Sequence, residues 1–266
     1  MIPPVVDQAW LAAHPEAVAA DVRSYLDGRS GADAYRGGHL PGAVFVSLDV
    51  VLADPPSPER GRHPLPDPAR FAAGLGAAGI GDGTVVVAYD DAGGAMAGRL
   101  VWLLRILGED AALLDGGLQG WRGALTADVP TPEVAAFTPR DWPTAALATL
   151  EDAIAGDCVM DARAAERYRG DVEPIDARAG HIPGARNYPY AGNLDADLRF
   201  RSPEELRARF AAIGDAAAVI SSCGSGVTAC HNLIAMEYAG LGRGRLFPGS
   251  WSQYSSTDLP VATGDE

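Results

Sequence analysis

One six-residue frame occurs twice in this chain, and the repetition limits what the chain can fold into. The first copy is Gly38-His39-Leu40-Pro41-Gly42-Ala43 and the second is Gly180-His181-Ile182-Pro183-Gly184-Ala185. A short apolar run ending in acidic and basic residues precedes each copy: Val18-Ala19-Ala20-Asp21-Val22-Arg23 in one half, Val159-Met160-Asp161-Ala162-Arg163 in the other. Further on, TVVVAYDDAGGAMAGRLVWLLRILG (84–108) reads as strand, tight loop and helix, with Leu100, Leu103, Leu104 and Leu107 on the helical period. AAVISSCGSGVTACHNLIAMEYAG (217–240) repeats that order. Similarity over so long a stretch means two related units rather than one large one. Short apolar strands alternating with helical stretches predict an α/β fold in each, a mostly parallel sheet flanked by helices. The expected limits are 1–125 for the first unit and 150–266 for the second, with 126–149, rich in Pro, Ala and Thr, as the linker.

Composition removes several classes of function. The formal charge of −14 argues against nucleic acid or an anionic membrane as a partner. All 21 basic side chains of the Lys+Arg count are arginine. Without lysine there is neither Schiff-base chemistry nor a Walker-type phosphate loop, so any anion must be held by arginine, backbone amides or a helix end. The three cysteines, Cys158, Cys223 and Cys230, form no even disulfide framework and no C-x-x-C pair, so no metal site is expected. No apolar run approaches a membrane span, and MIPPVVDQAW lacks the basic and apolar segments of a leader. The expected compartment is the cytoplasm.

Cys223 stands where an apolar run ending at Ser222 gives way to a helical segment, in the loop Cys223-Gly224-Ser225-Gly226-Val227-Thr228. Ligands of parallel α/β sheets bind at the carboxyl ends of strands. A helix N-terminus stabilises a thiolate through free amides and its dipole, and small residues let the backbone curl around the sulfur. The matching place in the first half is Asp90-Asp91, so only one half carries a thiol. Cys230, inside the helix, and Cys158, at a strand start, fit core positions. A cysteine phosphatase needs an arginine six residues after its nucleophile; that position is Ala229.

The two Gly-His-Leu/Ile-Pro-Gly-Ala frames, the doubled α/β unit and the loop CGSGVTAC together resemble the tandem-domain rhodanese sulfurtransferases over nearly the whole chain. The fold the resemblance implies is two rhodanese-like domains, the first lacking the catalytic cysteine. The loop is similar to that of 3-mercaptopyruvate sulfurtransferases, whereas thiosulfate-type members carry Cys-Arg-Lys-Gly-Val-Thr. The resemblance implies a persulfide cycle without a cofactor: Cys223 takes sulfur from 3-mercaptopyruvate, releases pyruvate and passes the outer sulfur to cyanide, a small thiol or thioredoxin. It implies that Ser225 works with His63 and Asp49 as a proton relay. It also implies that Gly224, Gly226, Val227 and Thr228 line the substrate and that Arg167 grips its carboxylate. Some members carry a second arginine just after a Glu-Pro pair. Here Glu173-Pro174 is followed by Ile175-Asp176, and the nearest candidate is Arg178. His39, His181, Gly116, Gly117, Trp121 and Trp251 are read as turn and packing residues. A thiosulfate:cyanide sulfurtransferase and a protein-to-protein sulfur relay remain as alternative readings.

Overall fold

The computed structural model describes residues 1–265. Packing groups the chain into two units that do not follow chain order. The first comprises Met1–Asp54, Pro66–Trp142 and Leu194–Phe200; the second comprises Pro55–Leu65, Pro143–Asn193 and the chain from Arg201 onward. Within the expected linker, residues 126–142 pack with the first unit: Ala135 donates to the Gly76 carbonyl at 3.0 Å, and Phe137 meets Phe71 edge-on.

The first unit has a five-stranded sheet of β1 (Val5–Val6), β2 (Val18–Asp21), β3 (Val44–Phe45), β4 (Val86–Tyr89) and β5 (Ala111–Leu114), ordered β1-β5-β4-β2-β3. Every pairing in it is parallel. The central strand β4 is buried along its whole length, as a strand covered on both faces must be, and its Val-Val-Ala-Tyr sequence suits that site. The second unit has β6 (Val159–Asp161), β7 (Arg186–Asn187), β8 (Ile220–Ser222) and β9 (Arg245–Leu246), ordered β7-β6-β8-β9 and again all parallel. A parallel bridge from Leu147 to Leu246 takes the edge place that β1 holds in the first sheet. The two mostly parallel α/β units expected from the repeat are therefore present. No helix of the described residues is long and apolar enough to cross a membrane.

The repeated frame is a structural clasp. His39 is fully buried, stacks on Tyr35 and donates through Nδ1 to the Tyr35 carbonyl at 2.7 Å. His181 makes the same stack and bond with Tyr168, at 2.8 Å. Ahead of each frame an aspartate and arginine two residues apart form a buried pair, Asp21 with Arg23 and Asp161 with Arg163. Each arginine then reaches the glycine opening the frame, Gly38 or Gly180, whose carbonyl accepts at 2.7 Å. Both charges are paired and hydrogen-bonded, the condition under which burial is tolerated.

In both units the central strand runs into a tight loop and then a buried helix, and these junctions sit at equivalent places. In the first unit Asp90 fills the loop. Its carboxylate is fully buried and accepts from the amides of Ala92, Gly94, Met96 and Ala97 at 2.7–2.9 Å. In the second unit the loop holds Cys223.

Candidate active site

β8 ends at Ser222, the loop 223–227 follows, and the helix Thr228–Tyr238 begins with no side-chain cap. Ala229 to Met236 are all buried in that helix, so the loop is carried on a fixed support. Cys223 is 2% exposed, and its Sγ accepts from the Gly226 amide at 3.1 Å. The Cys223 amide donates to Ser250 Oγ at 3.0 Å, while the Cys223 and Gly224 carbonyls accept from the amides of Trp251 and Ser252. The loop is thus bound to the helix Ser250–Tyr254. Ser250 adopts a left-handed φ of 49°, a conformation serine holds only where its surroundings fix it.

The glycines have separate reasons. Gly226 has φ +75°, and a Cβ there would lie 2.4 Å from the Pro248 carbonyl oxygen. Gly224 leaves room for two cations: a Cβ there would lie 3.2 Å from Arg62 Nη2 and 3.4 Å from Arg167 Nη1. Val227 is buried, its carbonyl accepting from the Cys230 amide, so the backbone is what it offers the loop. Thr228 opens the helix and is partly exposed.

Ser225 and His63 are brought together, both largely buried, with Ser225 Oγ 2.7 Å from His63 Nδ1. His63 belongs to Pro55–Leu65, a segment from the first half of the sequence that packs in the second unit. Asp49 lies in the short helix Leu48–Val51 of the first unit and is exposed.

Arg167, on the helix Ala165–Arg169, donates through Nη2 to Glu173 at 2.6 Å and to Asp176 at 3.0 Å. Arg178 does not join it. Its Nε, Nη1 and Nη2 donate to the carbonyls of Ser255, Leu259 and Tyr254, and its own carbonyl accepts from Trp251 Nε1. Three donors held by backbone carbonyls make Arg178 a strap for the C-terminal segment. Arg62 stands beside Arg167 instead, with its amide on Ser252 Oγ at 2.9 Å and Nη1 on Asp176 at 2.5 Å. Sequence reasoning missed it, although it immediately precedes His63 and so enters the site on the same segment.

The acids that hold these arginines are buried. Burial pushes the Glu173 carboxyl up, but the Arg167 hydrogen bond and the amides of Asp176 and Ile175 outweigh it and hold Glu173 below its usual value. Burial would lower Arg163, yet Asp161, Glu173 and the Cys223 sulfur raise it, so Arg163 keeps its charge within the field of the thiol. Cys230 donates to the Gly226 carbonyl at 3.3 Å and Cys158 to that of Ile213 at 3.4 Å, each from a buried position. Burial raises the Cys158 thiol above its ordinary value, which keeps it protonated and inert.

A buried sulfur at a strand end, an uncapped helix behind it and paired guanidiniums over the next residue suit the transfer of a group from an anionic donor. Comparison with known proteins agrees. A family profile described as "Rhodanese-like domain" matches residues 7–124 and 146–257, and the chain belongs to that family. The chain is 44% identical to the "Probable 3-mercaptopyruvate sulfurtransferase" of Pseudomonas aeruginosa over 94% of each chain. It is 41% identical to the "Putative thiosulfate sulfurtransferase SseB" of Mycobacterium tuberculosis, covering 92% of this chain and 90% of that one. The solved 3-mercaptopyruvate sulfurtransferase from Leishmania major superposes with a TM-score of 0.85 at 34% identity, covering 94% of this chain and 74% of its own.

Proposed function

We propose that this protein is a sulfurtransferase that takes sulfur from 3-mercaptopyruvate through a persulfide on Cys223. The observation that carries the reading is the pair Arg62 and Arg167 packed over Gly224, next to a buried thiol that accepts a loop amide. The pair supplies the planar donors a carboxylate fits. The Cys223 thiolate attacks the sulfur of the donor, the donor's carbon–sulfur bond breaks, and the electron pair leaves on carbon as the enolate of pyruvate. A proton passed from His63 through the Ser225 hydroxyl to that carbon completes pyruvate, and the outer sulfur stays on Cys223. The contact of Ser225 with His63 supports this route. Asp49 is proposed as the group that orients the histidine. A thiophilic acceptor, whether cyanide, a small thiol or thioredoxin, then removes the outer sulfur and returns the thiolate. Three free cysteines suit a reducing compartment, and we assign the protein to the cytoplasm.

Thiosulfate as donor is a second reading, favoured by the name of the M. tuberculosis relative. The loop opposes it, since no cation stands at 224 or 225. Steady-state kcat/KM for the two donors, with cyanide as common acceptor, separates them. A preference of about 10-fold or more for 3-mercaptopyruvate is expected, a difference of about 1.4 kcal/mol in the transition state. Preference for thiosulfate would overturn the choice of donor, and inactivity with both would overturn the enzymatic reading.

A further inference from the structure

The stretch Glu173-Pro174-Ile175-Asp176 departs from the pattern that would put an arginine after the Glu-Pro pair. An acid stands there instead, and its side chain is 4% exposed. Asp176 Oδ1 accepts from Arg62 Nη1 at 2.5 Å and Oδ2 from Arg167 Nη2 at 3.0 Å, so one carboxylate bridges both guanidiniums. Those guanidiniums are the groups lying against the Gly224 position, one residue from the thiol. Glu173 takes a second bond from Arg167 at 2.6 Å and faces Arg163 at 3.4 Å. Arg163 is paired with Asp161. The cations gathered here are Arg62, Arg163 and Arg167, and each is matched by one of Asp161, Glu173 and Asp176.

We propose that Asp176 is a positioning residue that decides which donor the site accepts. It holds Arg62 and Arg167 as one fork over Gly224, and its charge removes the positive excess that a doubly charged donor needs. The proposal rests on the sulfurtransferase reading and names how the site selects its substrate. A monoanionic carboxylate needs geometry above all, and a fork fixed at two points supplies that geometry before the donor arrives. A dianion brings a second charge into a largely buried place where anions and cations already balance, so its desolvation goes uncompensated. The same carboxylate therefore favours one donor and disfavours the other. Gly224 belongs to the same arrangement, because an arginine in its place would occupy the volume of the fork.

The test compares the unmodified protein with Asp176→Asn and Asp176→Glu, using two readouts. In turnover with cyanide as acceptor, Asp176→Asn should raise KM for 3-mercaptopyruvate with a smaller change in kcat, and lower KM for thiosulfate. The ratio of the two kcat/KM values should move toward thiosulfate by about 10-fold, the signature of altered donor binding. Asp176→Glu, which restores the charge, should return the ratio to within about 3-fold of the unmodified value, a change of side-chain length costing less than a loss of charge. In calorimetry without turnover, Asp176→Asn should bind sulfate more tightly and pyruvate more weakly, each by about 5-fold. Should the asparagine variant lose its fold, Asp176→Ser takes its place in both measurements. Equal losses with both donors, or sulfate and pyruvate affinities that do not move, would overturn the proposal. Absence of turnover with either donor in the unmodified protein, alongside the expected change in sulfate and pyruvate binding, would overturn the sulfurtransferase reading and leave the role of Asp176 standing.

Discussion

Cys223 and the residues that touch it divide the work of the site. Its sulfur is the only proposed nucleophile, so Cys223→Ser should lower sulfur transfer by roughly 10³-fold or more, since a hydroxyl is a far weaker nucleophile at neutral pH. The melting temperature should stay within a few degrees; residual activity near the original level would assign the chemistry to another group. Gly226 is the residue that lets the loop return to the sulfur. Gly226→Ala combines a left-handed φ with a Cβ 2.4 Å from a carbonyl oxygen of Pro248, neither of which a flexible side chain can relieve. A loss of about 2–3 kcal/mol of stability is expected from the backbone conflict, read by urea unfolding. His63→Gln should lower kcat by about 10²-fold while leaving KM for 3-mercaptopyruvate within about 3-fold, as removal of a proton-transfer group does. An unchanged kcat would return the Ser225–His63 contact to packing.

At the scale of elements, the strand–loop–helix junction of each unit turns backbone amides toward the side chain that fills it. In the first unit that group is permanent: Asp90 accepts four backbone N–H bonds and is fully buried. In the second unit it is the Cys223 sulfur, which accepts from the Gly226 amide and changes state in the proposed cycle. The repeat thus gives one fold two uses, one junction filled by a carboxylate and the other by a thiol. Replacing Asp90 by Asn turns an amide NH2 toward backbone N–H groups that donate to the carboxylate. It should cost about 3 kcal/mol, the penalty of unsatisfied buried donors, and a chemical-denaturation midpoint that did not move would show that the loop finds another acceptor. Sulfur transfer should be reduced only as far as the folded fraction is, because no step proposed for Cys223 uses Asp90.

For the whole molecule, the decisive fact is that Pro55–Leu65 crosses from the first half of the sequence into the second unit and delivers Arg62 and His63. A fragment spanning 143–266 carries Cys223, Ser225, Arg167 and Asp176 but lacks both of those side chains. Its activity with 3-mercaptopyruvate should fall by at least about 10²-fold, the usual worth of a proton-transfer group, even in preparations whose circular dichroism shows folded structure. Full activity of that fragment would remove Arg62 and His63 from the mechanism. Much of this architecture was legible beforehand. The doubled frame gave two units, alternating apolar runs gave parallel sheets, and the position of Cys223 between a strand and a helix gave the loop, because these are local patterns along one stretch of chain. The buried roles of His39 and His181 followed from their occurring twice. Three things were settled only by packing: Arg178 is held by three carbonyls near the C-terminus, Arg62 takes the place beside Arg167, and Asp176 bridges the two. Each depends on contacts between residues far apart in sequence, where spacing carries no information and only the folded chain fixes which charges meet.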